Sequence, residues 1–213
     1  MKPKDFKSPF RWDQRHPYMQ DNVLFVPAYY KGHEAFEMPL LKGPIAVEYC
    51  SGNGEWIIQK CLDEPNYTWI AVEKKFQRVA KIWSKAQNNN LKNLLIVCGE
   101  AQTFTKHYLQ DSSVEKIYVN YPDPWPKERH AKHRLIQTPF ANEMARVAKE
   151  GAIATFVTDD QPYGNQMQSE MKAPWQLLRA DLLDTSYGTS FFDQLWRSKG
   201  RSIQVMEFQC KFD

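Results

Sequence analysis

Residues 45–73, IAVEYCSGNGEWIIQKCLDEPNYTWIAVE, decide the fold. Ile45–Tyr49 is a short apolar run closing on an acid, and Gly52-Asn53-Gly54 follows as a turn. Glu55–Leu62 reads as a helix with Trp56, Ile57 and Ile58 inward, and Trp69–Val72 as a second strand ending at Glu73. The alternation continues down the chain. Phe76, Val79, Ala80, Trp83 and Ala86 recur at helical spacing until Asn88-Asn89-Asn90 stops them, and Leu94–Cys98 is a third strand. A short helix near Thr103–Leu109 precedes a fourth strand, Lys116–Tyr121. Thr138-Pro139 reads as a cap residue and first helical position, with Gly151 ending that helix before a fifth strand, Ala152–Val157. A helix around Gly164–Met171 stops at Pro174, and Gln176–Ala180 and Ser202–Phe208 read as closing strands. Strands separated by helices imply an α/β fold with a mostly parallel sheet and helices on both faces.

On such sheets ligands sit at the carboxyl ends of the strands. The residues there are Glu48, Gly52, Gly54, Glu73, Glu100, Asp123 and Asp159, and five of these seven are acids. Acids at successive strand tips would repel one another unless they share a polar or cationic ligand. Glu73 follows Gly52 at a spacing that suits an acid binding a ribose diol. A dinucleotide would want Gly-x-Gly-x-x-Gly so that helix amides face a pyrophosphate, but Trp56 and Ile57 stand where the last glycine is expected. S-adenosylmethionine has no phosphate and carries an ammonium and a sulfonium, so the acid-rich rim favours the methyl donor.

A second stretch, Tyr121–Arg134 (YPDPWPKERHAKHR), carries the chemistry of the partner. Pro122, Pro124 and Pro126 lack backbone N–H groups and fix φ, so the run is a stiff loop holding Asp123 and Trp125 in place. Lys127–Arg134 carries four positive charges and one negative, a net +3 that equals the charge of the whole chain. Focused cations beside an acid suggest chemistry on a nucleic acid. Trp125 either stacks on a base or packs to pin the loop. His130 and His133 lack a third partner, so no metal site is expected.

At 213 residues the chain suits one α/β domain, expected over 34–213, after a basic arm at 1–33. That arm holds six Lys/Arg against three Asp, shows no helix or strand period, and is expected to order only on a surface. Lys2, Lys4, Lys7 and Arg11 would be a second electrostatic anchor. There is no apolar stretch for a membrane span or signal peptide, and Cys50, Cys61, Cys98 and Cys210 have no Cys-x-x-Cys spacing, so a cytoplasmic protein with reduced thiols is expected.

From about Arg11 to Phe208 the chain resembles the tRNA (guanine-N7)-methyltransferases of the bacterial single-subunit type, most specifically in YPDPWPKERHAKHRLIQ. Supporting matches are the Glu48–Gly54 turn, Glu73, Gly99-Glu100-Ala101, Thr158-Asp159 and Thr189. The resemblance implies a Rossmann-like seven-strand methyltransferase fold and transfer of methyl from S-adenosylmethionine to N7 of guanine-46, in the tRNA variable loop. It implies that Glu48, Gly52, Gly54, Glu73, Glu100 and Asp123 line the cofactor, with Glu73 on the ribose and Glu100 accepting from the adenine amino group. Asp123 would be the catalytic residue at the reacting centre. Lys127, Asp159 and the segment Thr189, Ser190, Phe191 and Phe192 would contact guanosine. Arg129, Lys132 and Arg134 would hold the tRNA backbone. No metal and no membrane are expected; the sequence leaves the oligomeric state open, with a monomer favoured.

Two positions depart from the family pattern. Cys50 replaces the first glycine of Glu-x-Gly-x-Gly-x-Gly, which is expected to reshape the turn and lower cofactor affinity. The Thr-x-Phe-Glu motif reads Thr189-Ser190-Phe191-Phe192, so that Asp193, one position late, substitutes for the Glu or the grip on guanine is weaker. Guanine N7 carries a lone pair and no proton, so transfer needs alignment rather than a general base, and Asp123 and Asp159 are expected to orient the base through its N1 and N2 donors. The rival readings are a non-catalytic tRNA-binding protein on a methyltransferase scaffold, and a methyltransferase for a small molecule or a protein, which leaves the basic loop unexplained.

Overall fold

The computed structural model describes residues 1–8 and 16–212, so Arg11 lies outside the described residues. The chain forms two compact units, Met1–Leu109 and Gln110–Asp213.

The first unit holds strands β1 (Tyr18–Gln20), β2 (Val23–Val26), β3 (Ile45–Tyr49), β4 (Thr68–Glu73) and β5 (Leu94–Gly99), with helices α1 (Glu55–Asp63), α2 (Phe76–Asn88) and α3 (Ala101–Tyr108). Its strand order is β1-β2-β5-β4-β3. All pairs are parallel except the β1–β2 hairpin. β3 is buried at every position and β4 at all but its first, which is why both read as continuous apolar runs without alternation. α2 contributes Val79, Ala80, Ile82, Trp83 and Ala86 to a core that includes Ile57, Trp69, Ile70 and Ile96.

The expectation that 1–33 carries no strand is corrected here. Val23–Val26 is a fully buried strand pairing with β5, and Asp21-Asn22 forms the two-residue turn before it, with Asp21 at φ 51°. A four-residue apolar run has no period to detect, and the surrounding charges masked it. Phe6 is buried too, its ring 4.8 Å from Trp83 and 5.9 Å from Phe76.

The second unit holds β6 (Val114–Asn120), α4 (Thr138–Val147), β7 (Ala148–Thr158), α5 (Gln161–Glu170), β8 (Trp175–Leu182), α6 (Phe191–Ser198) and β9 (Gln204–Cys210). Its strand order is β6-β7-β9-β8. β6 and β7 are parallel, and β9 runs antiparallel to both of its neighbours. Nine strands are present among the described residues. β3–β9 are the seven that the strand reading expects, and the N-terminal hairpin adds two.

Local readings are corrected at three points. α4 ends at Val147 rather than Gly151. Gly151 lies inside β7 at φ 78°, where the register against β6 slips between Val114 and Lys116. A glycine reads alike as a helix stop and as a bulge, and here it is the bulge. Thr138 is the first helical residue rather than the cap, and its N–H and hydroxyl both donate to Glu170 Oε2 at 2.6 Å. α6 was not expected, although Ser190 and Asp193 stand at capping-box spacing; Ser190 Oγ accepts from the Asp193 N–H at 3.4 Å.

Candidate active site

In the first unit, the turn after β3 needs left-handed backbone at Cys50 (φ 64°), Gly52 (φ 56°) and Gly54 (φ 85°). A Cβ on Gly54 would sit 2.7 Å from Ile82 Cγ1, so glycine there serves both conformation and the close approach of α1 to α2. Cys50 adopts the backbone a glycine would take. The departure from the family pattern therefore appears as local strain, about 1–2 kcal/mol for an L-residue in this region. Two lysines of α2 grip the turn at Asn53: Lys85 Nζ donates to its carbonyl at 2.5 Å, and Lys81 Nζ to its side chain at 3.2 Å.

The acids at the strand tips have distinct settings. Glu48 is buried in β3. Glu73 Oε2 accepts from the Gly52 N–H at 3.1 Å and Oε1 from the Lys75 N–H at 2.8 Å, with Arg78 3.4 Å away. These bonds hold its carboxylate against the glycine turn. Glu100 is exposed at the cap of α3, and its side chain bonds no helix amide. Gly99 before it is required by space, since an added Cβ would lie 2.7 Å from Val26 Cβ. Tyr49 and Thr105 share a buried 2.6 Å hydrogen bond that ties the β3 tip to α3.

All four cysteines are free thiols. Burial pushes Cys98 up to about 12 and Cys210 up to about 11, so neither is a thiolate near neutral pH.

In the second unit, the proline loop is stiffened by more than its prolines. Tyr121 and Trp125 both have positive φ, 49° and 45°. The Trp125 ring packs on His133 (5.2 Å) and His130 (5.8 Å), which favours the loop-pinning role over base stacking. Arg134 Nε donates to the Pro124 carbonyl at 2.7 Å, its Nη1 bonds Gln166, and its guanidinium lies 5.1 Å from the Tyr163 ring centre. The Tyr163 hydroxyl in turn accepts from the Ile136 N–H at 3.0 Å. Arg134, expected on the tRNA backbone, is thus half-buried and committed to the loop. Asp123, Lys127, Arg129 and Lys132 are exposed on it. Among the described residues no group of three or more His, Cys, Asp or Glu could hold a metal ion.

Asp159 follows the last residue of β7 and pairs with Arg201; its side chain is only 7% exposed. Asp160 caps α5 by accepting from the Tyr163 N–H at 2.8 Å. Thr189 and Phe191 are exposed, Ser190 is buried at the cap of α6, and Phe192 packs on Tyr121.

Asp193 is fully buried. It accepts from the Tyr121 hydroxyl at 2.7 Å, and both of its oxygens accept from Arg197 Nε at 3.0–3.1 Å. The Arg197 guanidinium also bonds the carbonyls of Leu183 and Thr185. Burial, then the bond to Asp193, raises the Tyr121 hydroxyl far above its usual range, so it stays a donor. Asp193, one of the two alternatives for the family's Glu, thus has both oxygens engaged inside the unit. Arg197, Trp196 and Arg201 carry no motif in the sequence; Asp193 lies only four residues before Arg197, whereas Tyr121 reaches Asp193 across 72 residues and Arg201 reaches Asp159 across 42.

A largely parallel sheet, a glycine turn and acids at successive strand tips are those of a Rossmann-like nucleoside-binding fold, and the chain is a methyltransferase of that type, matching the Methyltransf_4 methyltransferase family over residues 42–205. The fold is shared with the 16S rRNA methyltransferase KamB, with a TM-score of 0.62 at 14% identity over 81% of this chain and 90% of that one. Within the class, the chain belongs to the tRNA (guanine-N(7)-)-methyltransferases. It is 47% identical to the one from Chlamydia muridarum, over 98% of this chain and 97% of that protein. It is also 47% identical to that of Chlamydia felis, over 99% and 98%.

Proposed function

We propose that this protein transfers a methyl group from S-adenosylmethionine to N7 of the variable-loop guanine of tRNA. The observation that carries the reading is the near full-length match to tRNA (guanine-N(7)-)-methyltransferases, in a chain that has an acid at each strand tip where the family resemblance expects one.

The donor set of the first unit fits the cofactor. Glu73 keeps lone pairs beyond those used by the Gly52 and Lys75 amides, enough to accept from a ribose diol. Exposed Glu100 can accept from an adenine amino group, and Glu48 adds negative charge suited to a cationic ligand. S-adenosylmethionine supplies an electrophilic methyl group on a sulfonium. The residues of the second unit supply binding and orientation. Asp123, exposed on a clamped loop, and Asp159 are acceptors for guanine N1–H and N2–H, and their charge stabilises the positive charge that N7 gains. No residue need remove a proton, because N7 has none.

Lys127, Arg129 and Lys132 are the exposed cations for phosphates, with Lys2, Lys4 and Lys7 as a second anchor. Arg134 leaves that group and holds the loop instead. No helix among the described residues is long and apolar enough to cross a membrane.

The test is methyl transfer from labelled S-adenosylmethionine to unmodified tRNA transcripts, with and without the variable-loop guanine, with 7-methylguanosine located by reductive strand cleavage. Incorporation that vanishes when that guanine is replaced is the expected result. tRNA binding without incorporation would overturn the reading in favour of a non-catalytic tRNA-binding protein.

A further inference from the structure

Asp159 is a nearly enclosed carboxylate just past the carboxyl end of β7, and an enclosed carboxylate requires donors. The donor it has comes from 42 residues further on: Arg201 Nη1. Among the described residues this is the only side-chain hydrogen bond Arg201 makes, and its side chain remains 46% exposed. The central carbon of the same guanidinium lies over an aromatic ring, 4.1 Å from the centre of Trp196, and the Lys199 ammonium lies 4.8 Å from that ring centre as well. Trp196 is fixed by packing against the cluster of Tyr121, Val157, Ile203 and Val205. The Arg201 N–H is bonded to the Trp196 carbonyl at 3.1 Å. The backbone is therefore anchored and only the arginine side chain is loosely held.

The other Asp–Arg pair of this unit differs on each count. Asp193 is fully buried, takes a tyrosine as well as an arginine, and its arginine is tied to two further carbonyls. That pair is built to stay closed. The Asp159–Arg201 pair is held by one hydrogen bond and one stacking contact, with half the cation in water, a combination that is cheap to open.

What Asp159 and Trp196 hold is a planar group with one N–H donor on the carboxylate and its central carbon over an indole. Guanine offers the same features: N1–H and N2–H lie side by side on one edge of a flat ring. We propose that Asp159 and Trp196 form a guanine-recognition subsite in which the Arg201 guanidinium stands in for the base until substrate arrives. The inference rests on the reading of Asp159 as a guanine acceptor and adds a stacking platform, Trp196, and an exchangeable occupant, Arg201. It also states a specificity. Adenine presents an acceptor, N1, where guanine presents a donor, so it meets the carboxylate unfavourably. Hypoxanthine keeps N1–H but lacks the exocyclic amine, so it binds between the two.

The experiment titrates guanosine, inosine and adenosine 5′-monophosphates into wild type, Arg201→Ala, Trp196→Ala and Trp196→Phe by ligand-detected NMR. KM for tRNA is measured alongside. Arg201→Ala should bind guanosine monophosphate at least about threefold more tightly than wild type, with the order guanosine, inosine, adenosine preserved and KM for tRNA unchanged or lower. Trp196→Ala should weaken guanosine monophosphate roughly 5- to 150-fold, the range of base–aromatic stacking. Trp196→Phe keeps a ring and should recover part of the loss, which separates lost stacking from misfolding. Guanosine and adenosine monophosphates binding alike to Arg201→Ala, or neither binding, overturns the proposal. So does a raised KM with the salt slope reduced by about one, which would make Arg201 a phosphate contact. If wild type transfers no methyl group to tRNA while guanosine selectivity persists and responds to these substitutions, the subsite stands and the enzymatic reading falls.

Discussion

The Tyr121 hydroxyl donates to Asp193 Oδ1 at 2.7 Å, joining the first residue of the proline loop to the first turn of α6. The shifted acid near the C-terminus thus belongs to a buried Tyr121–Asp193–Arg197 group that fixes where the Asp123 loop departs from β6. Its energetics are those of a buried charge with few substitutes. Tyr121→Phe removes a hydrogen bond to a charged group and should cost about 1.5–3 kcal/mol. Asp193→Ala leaves Arg197 with only two carbonyls and should cost about 3 kcal/mol, the low end for breaking a buried pair. Urea unfolding measures both, and an Asp193→Ala protein within about 0.5 kcal/mol of wild type, the range of ordinary surface changes, would show that the group is not structural.

Cys50 makes the opposite prediction. Its left-handed backbone costs about 1–2 kcal/mol, and glycine there would give back about 0.5–1 kcal/mol in unfolded-state entropy. Cys50→Gly should therefore stabilise the protein by up to about 1.5 kcal/mol and raise its melting temperature, with cofactor affinity unchanged or improved. Gly54→Ala should destabilise, because it meets both a φ of 85° and Ile82 Cγ1 at 2.7 Å. A melting temperature that falls in Cys50→Gly would mean the thiol makes a contact worth more than the strain.

His33 gives the fold a pH dependence. Its ring is buried, bonds the Tyr108 hydroxyl through Nδ1 at 2.6 Å and stacks 4.8 Å from His107. Burial, then repulsion from His107, lowers its pKa below the ordinary value of 6.5. The unfolded chain consequently takes up a proton more readily than the folded one. The stability His33 contributes is present above about pH 6.5 and is lost as pH falls through the lowered folded-state value. Urea midpoints at pH 7.5, 6.5 and 5.5 should decline, and His33→Gln should flatten that decline. An equal decline in the variant would assign it to other groups.

Much of the fold was legible because β3, β4 and β5 are apolar runs set between helical periods, and the glycines between β3 and α1 mark a turn whatever surrounds it. What escaped reading depended on partners remote in sequence. Val23–Val26 is a strand because β5 receives it. Gly151 is a bulge rather than a stop because of its register against β6. At the site, the acids and the proline loop were visible from residue type and position. The roles of Arg134, Asp193 and Arg201 were not, since a charged residue in a basic or polar stretch reads as surface until the carbonyl, tyrosine or tryptophan facing it is known.

Arg134 decides how the loop works. Its guanidinium bonds Pro124 and Gln166 and lies against Tyr163, so in the proposed reaction its part is to position Asp123, the residue beside Pro124. Arg134→Gln should lower kcat about 10- to 100-fold, since small misplacements of an orienting group carry losses of that order. KM for tRNA and its salt dependence should change little. Arg129→Ala and Lys132→Ala should do the reverse, raising KM and reducing the salt slope by about 0.7–0.9 each while sparing kcat. Asp123→Asn keeps the shape of the loop and removes the charge, so it should cost about 100- to 1,000-fold in kcat with tRNA affinity retained. Arg134→Lys preserves the charge but cannot reach Pro124 and Gln166 together, so it should resemble Arg134→Gln. Full activity in Arg134→Lys would mean that charge alone suffices, returning Arg134 to the phosphate contacts and leaving the prolines and Trp125 to hold the loop unaided.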